Sequence, residues 1–187
     1  TTASRLRTPF GHSLSSRLTL VGIVGFAAAV AAASQIAIPL PWTPVPITLQ
    51  PLLVILAGMW LGPVAGAASM TLYLAAGAVG LPVFTPIGAP GIARFLGPTG
   101  GYLIAYPAAA FVAGSLGVRA KTFGARWLAA MAGVAVIYAG GIAQLSLLNG
   151  SVARALQVGV APFALLDVVK AFVAAGISGS RRRSSSK

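Results

Sequence analysis

Cysteine is absent from this 187-residue sequence, and only one of its charged residues, Asp167, is acidic. The lack of thiols excludes disulfides and thiolate metal sites. A single carboxylate cannot supply the paired acids of an aspartyl protease. The sole histidine, His12, lies in a basic segment ahead of the first apolar run, so a serine intramembrane protease would lack its base. Gly176 to Ser180 reads GISGS, which is not the G-x-S-x-G of a nucleophile elbow. Gly97 to Leu103, GPTGGYL, has neither the lysine nor the strand-to-helix setting of a phosphate-binding loop. Too few ligand types remain for a metal site, and the chain is not expected to be an enzyme.

Charge of either sign is scarce. Charged residues make up 7% of the chain against 57% hydrophobic, and the mean hydropathy is +0.91. Soluble domains carry roughly 25% charged residues, so this composition belongs to an integral membrane protein. The formal net charge of +12 would suggest a nucleic-acid partner in a soluble chain. Here the basic residues gather at the edges of apolar runs, where anionic lipid headgroups and the positive-inside rule account for them, and no nucleic acid is implied.

In chain order, residues 1–17 form a basic segment with Arg5, Arg7, His12 and Arg17. Leu18 to Ile38 supplies about 21 mostly apolar residues, enough to cross a hydrocarbon core of roughly 30 Å. Basic residues ahead of an apolar run ending in Ala-Ala-Ala-Ser also resemble a secretory signal peptide, but more apolar spans follow and favour a first span. Within it Gly25, Ala29 and Ala33 recur at every fourth residue, as do Ala28 and Ala32, a smooth ridge on which another helix can pack.

Pro39 to Pro46, PLPWTPVP, reads as an extended loop at a membrane surface, with Trp42 suited to the interface. The apolar block Ile47 to Gly80 is too long for one crossing, and Gly62-Pro63 divides it into two short spans of roughly 16 residues. Leu81 to Pro98 is a long Pro- and Gly-rich loop carrying Arg94, placed to lie over a site. Gly100 to Gly117 and Trp127 to Leu148 are the fourth and fifth spans, Asn149 to Ala161 a connection, and Pro162 to Gly179 the sixth span. Residues 180–187, SRRRSSSK, are expected to be a disordered basic tail.

The basic residues test this division. With six spans and the amino terminus inside, Arg5, Arg7, Arg17, Arg119, Lys121, Arg126, Arg181, Arg182, Arg183 and Lys187 all face the cytoplasm, and only Arg94 and Arg154 face out. Were Ile47 to Gly80 a single crossing, the Arg119 cluster would fall on the opposite side from the amino terminus, against the positive-inside rule. The sequence therefore predicts an all-α membrane protein of six transmembrane helices with both termini cytoplasmic, a membrane domain over 18–179, and a multi-pass place in the membrane.

The sixth span holds Asp167, with Lys170 three residues on, which on a helix puts carboxylate and ammonium on one face. A charge near the centre of a spanning helix costs about 2.5 to 3.5 kcal/mol, so such residues normally point inward. A helix-fixing ion pair and a ligand site both fit this spacing. On the six-span topology Asp167 lies about 7 to 8 Å beyond Pro162 along the helix, in the outer half of the bundle beneath the two loops. A pocket there, with Arg94 in its lid and Tyr102, Tyr73, Phe84, Thr48 and Gln50 nearby, suits a small molecule with hydrogen-bonding ends and an apolar body.

Five stretches occur in an order that carries a resemblance: PVPITLQ at Pro44 to Gln50, the AG-x-x-LGP segment at Ala57 to Pro63, GLPVF at Gly80 to Phe84, GPTGGYL at Gly97 to Leu103, and D-x-x-K at Asp167 to Lys170. Together they resemble the BioY family, the biotin-binding S components of energy-coupling factor (ECF) vitamin transporters, over about Leu18 to Gly179. The resemblance implies high-affinity biotin capture near the outer face of a bacterial cell membrane. It implies that Asp167 and Lys170 meet the bicyclic ring, whose ureido N–H and carbonyl would satisfy both charges. Arg94 becomes the candidate for the valerate carboxylate. Gly25, Ala28, Ala29, Ala32 and Ala33 become a docking face for a separate T component. ATP would be used by two partner ATPase subunits, with no cofactor in this chain, and the oligomeric state stays open. A cation channel would be expected to display acidic rings, which one carboxylate supplies only in an oligomer. A stand-alone proton-coupled carrier with Asp167 as its titrating group is the alternative.

Overall fold

The structure, a computed structural model, describes residues 11–184, with side chains over 16–179. Of the expected basic segment 1–17, residues 1–10 lie outside the described residues and 11–17 begin the first helix; of the expected tail 180–187, residues 180–184 continue the last helix and the final three lie outside. The chain is mostly helical. Its order is α1 (Gly11–Gln35), β1 (Ile38–Leu40), β2 (Thr43–Ile47), α2 (Gln50–Leu61), α3 (Pro63–Ala78), a 3-10 turn (Gly91–Leu96), α4 (Gly100–Arg119), α5 (Phe123–Asn149), α6 (Val152–Gly159) and α7 (Ala164–Ser184).

Three of these helices are long and apolar enough to cross a membrane: Ser16–Gln35, Gly100–Arg119 and Phe123–Asn149. The pair α6 and α7, bent by 58°, qualifies together as a fourth, whereas α2 and α3 are shorter apolar helices. The division of Ile47 to Gly80 falls where the sequence places it. Gly62 adopts φ +87°, a left-handed value that favours glycine, and Pro63 opens α3 with a ring already set for helical φ. Beyond this corner the chain folds tightly on itself, and a Cβ on Gly66 would lie 2.6 Å from the Gly58 Cα.

Two connections differ from expectation. Pro39 to Pro46 is no simple loop but an antiparallel ribbon, β1 against β2, with Leu40 opposite Thr43 and Ile38 opposite Ile47. Prolines are tolerated because each strand of a two-stranded ribbon has a free edge where a missing N–H breaks no ladder. Asn149 to Ala161 is likewise more than a connection: Gly150 ends α5 at φ +67°, and the Ser151 hydroxyl accepts from the Arg154 N–H to start α6.

α4 is the central helix, packing against α2, α3 and α5. Its approach to α5 is backbone to backbone: a Cβ on Gly101 would sit 2.1 Å from the Gly140 carbonyl oxygen, and one on Gly140 2.4 Å from that of Gly101. Helices that gain little hydrophobic driving force from lipid associate through such close contact. Val30, Val54, Ile55, Met70, Tyr73, Ala109 and Ala113 are buried in one shared core.

Candidate binding site

One end of the bundle is hollow. A cavity of about 620 Å³, counting its open mouth, is bounded by β2, the starts of α2, α4 and α7, the later halves of α3 and α5, and the 84–85 stretch of the long loop. All four tyrosines of the chain, Tyr73, Tyr102, Tyr106 and Tyr138, line it. Tyrosine in a membrane protein commonly marks the lipid interface, so their convergence here assigns the phenols to the cavity wall.

Asp167 and Lys170 face this space from the first turns of α7. Lys170 Nζ stands 2.7 Å from Asp167 Oδ1, and the side chains are 13% and 6% exposed. The other oxygen is also held, because the Tyr138 hydroxyl donates to Asp167 Oδ2 at 2.6 Å. Nothing in the sequence singles out Tyr138: it lies 29 residues away on α5 and belongs to no motif. The available cue is that it is the only phenol in that helix.

Thr48 and Gln50 line the cavity from the start of α2. The Gln50 amide donates to the Tyr73 hydroxyl at 2.7 Å, and Thr48 Oγ1 accepts from the Gln50 backbone N–H at 3.3 Å. Phe84 reaches the wall from the long loop, edge-on to Tyr73 at 5.5 Å between ring centres. Its backbone is fastened to the end of α1, where Ser34 Oγ donates to the Val83 carbonyl at 2.6 Å and Gln35 Nε2 to that of Phe84 at 3.1 Å. The Tyr102 hydroxyl donates to the Gly159 carbonyl at 2.8 Å and Thr43 Oγ1 to that of Val158 at 2.6 Å. These two bonds secure the α6–α7 corner that carries Phe163 and Asp167 into the cavity.

Arg94, the other cation named from the sequence, is not among the lining residues. It is buried within its own loop, donates to the Thr85 hydroxyl at 3.2 Å and to the Ile87 carbonyl, and lies 6.0 Å from the centre of the Phe84 ring. Burial lowers its pKa from the ordinary arginine value, with the Tyr73 phenol acting in the opposite direction. Arg94 thus braces the loop behind Phe84.

The small residues of α1 divide between two faces. Gly25, Ala28 and Ala32 are exposed, Ala29 is half-buried, and Ala33 is buried inside the protein.

The arrangement suits a neutral polar group at the Asp167–Lys170 end, because the two charges already compensate each other. Each keeps bonding capacity: an ammonium has three donors and a carboxylate about four acceptor positions. The aromatic walls suit an apolar body.

The family model for the "BioY family" matches residues 8–187. The chain is 44% identical over 151 residues to a probable biotin transporter BioY of Pyrococcus horikoshii, covering 80% of this chain and 86% of the relative. It is 37% identical over 153 residues to the biotin transporter BioY of Thermotoga maritima, covering 82% and 89%. Its fold is similar to the crystal structure of the S-component for biotin from an ECF-type ABC transporter, with TM-score 0.82, 30% identity, and coverage of 91% of this chain and 93% of that one.

Proposed function

The chain belongs to the BioY family, and from that premise we propose that it is the biotin-binding S component of an ECF-type ABC transporter, a membrane subunit for biotin uptake and not an enzyme. The observation that carries the assignment to this site is the protein's one acidic side chain, paired with Lys170 and Tyr138 and facing an aromatic cavity. The cyclic urea of biotin presents N–H donors beside a carbonyl acceptor, the complement of a carboxylate beside an ammonium. Tyr102, Phe84, Thr48 and Gln50 would enclose the rest of the molecule. Arg94 would meet the valerate carboxylate only after the loop gives up its bonds to Thr85 and Ile87. Calorimetry of the purified protein with biotin, desthiobiotin and an unrelated vitamin tests this reading. Saturable heats are expected for the first two, which share the urea, and none for the third. A flat biotin titration would overturn it.

Six crossings, with α6 as a surface turn and both termini cytoplasmic, are supported by the way the helix ends alternate. The cavity end collects the starts of α2, α4 and α7 and the later halves of α3 and α5, while the end of α1 is bonded to the adjoining loop. Successive helices then run in opposite directions. At the other end, Arg126 on the first turn of α5 donates to the Ala175 carbonyl late in α7, near the other basic residues assigned to the cytoplasm. On this reading the site opens outward in a bacterial cell membrane, and the basic rim meets anionic lipid.

Transport in this reading needs partners: a T component and two ATPase subunits that use ATP, with no cofactor in this chain and with homo-oligomers left open. The exposed Gly25, Ala28 and Ala32 supply the smooth face for the T component. Replacing Ala28 and Ala32 by leucine is expected to weaken co-purification with the T component at least tenfold and to leave calorimetric biotin affinity within twofold. Unchanged co-purification would remove α1 as the docking helix.

A further inference from the structure

We propose that Tyr138 is the positioning residue of the site: its phenol fixes the rotation of the Asp167 carboxylate, so that the acceptor positions left free point at the urea N–H groups of the ligand. This rests on the biotin-binding reading above. Asp167 is held at both oxygens from two directions, by Lys170 on its own helix at 2.7 Å and by Tyr138 on α5 at 2.6 Å. Lys170 alone would leave the carboxylate free to turn about its terminal torsion, which is broad for an aspartate. The second bond, from another helix, removes that freedom. It also couples the site to α5, so the carboxylate is oriented before the ligand arrives. Preorganisation of this kind lowers the ordering cost of binding.

The bond also constrains what the site accepts. Tyr138 and Lys170 each occupy one acceptor position, leaving one or more on each oxygen for incoming donors, while a ligand offering only acceptors at this point would face a carboxylate it cannot bond. Selection for an N–H donor beside a carbonyl therefore depends on Tyr138 as well as on the two charged residues.

Tyr138→Phe keeps the ring and removes the hydroxyl. Because Asp167 is the protein's only acidic side chain, its infrared carboxylate stretch stands nearly alone and is assigned by its loss in Asp167→Asn. The expected results are a displaced carboxylate band in ligand-free Tyr138→Phe, and a roughly tenfold to hundredfold loss of affinity for both biotin and desthiobiotin, the range for a hydrogen bond to a charged group. Affinity within twofold of the parent overturns the proposal. So does a loss of affinity with an unmoved band, which would make the phenol a ligand contact and not a positioning group. Should the parent protein bind no biotin, the functional reading fails, and the ligand-free band alone decides whether Tyr138 orients the carboxylate.

Discussion

Lys170→Met is expected to lower biotin affinity by about a hundredfold to several thousandfold, corresponding to the roughly 3 to 5 kcal/mol lost when one partner of a buried ion pair is removed. Two effects combine. The ligand loses its ammonium donor, and Asp167, with a side chain 6% exposed, loses its counter-charge and keeps only the Tyr138 hydroxyl. The second effect also weakens the fold, so loss of binding alone cannot separate a recognition role from damage. Replacing both residues, as Asp167→Leu with Lys170→Met, separates them. Removing a buried pair outright is often neutral or stabilising, so this variant is expected to unfold at or above the temperature of the single mutant and still to bind no biotin. Calorimetric affinity and detergent-phase melting temperature are the measurements. A Lys170→Met protein that binds biotin within tenfold of the parent would show that the ammonium does not meet the ligand.

The second large effect is steric. Tyr102 lies flat against α5 because residue 141 is glycine: a Cβ there would come within 2.1 Å of the Tyr102 Cζ, with two further ring atoms within 2.4 Å. Contacts that short do not occur, so in Gly141→Ala the ring must move away from α5. Gly159 closes the other side, where a Cβ would lie 2.3 Å from the Tyr102 hydroxyl, and Tyr102 already forms part of the cavity wall. Displacement would break the bond to the Gly159 carbonyl and push the ring into the ligand space. Overpacking of this kind costs about 1 to 3 kcal/mol of stability. Biotin affinity is expected to fall by more than tenfold. Gly124→Ala, on the same helix with nothing within 4 Å, is the control and is expected to change neither quantity. Undiminished binding in Gly141→Ala would place the ligand away from Tyr102.

The same two residues show where sequence reading stops. Tyr102 is legible, because GPTGGYL stands at the head of an apolar span and belongs to a recognisable order of motifs. That Gly141 makes room for it is not, since the two lie on different helices and nothing in the spacing of either points to the other. Phe84 and Gly77 repeat the pattern: GLPVF is a visible motif, but only the packed structure lays the Phe84 ring across Gly77, where a Cβ would be 2.1 Å from its tip. By sequence position Arg94 belongs to a lid loop. The fold turns its guanidinium into the loop, where the Thr85 and Ile87 oxygens accept from its two terminal nitrogens.

By itself the sequence determined that this is a membrane protein, where its helices break at Gly62-Pro63, and that its one carboxylate, Asp167, shares a helix face with Lys170. Hydropathy, glycine-proline corners and the i to i+3 spacing of a charge pair are local properties, legible along one dimension. The tertiary structure decided the paired ribbon of Pro39 to Pro46, the division of the α1 small residues into exposed and buried faces, the convergence of four tyrosines on one cavity, and the Tyr138 bond to Asp167. These depend on which helix faces which, and a side chain's partner across a helix interface leaves no periodic mark in either segment.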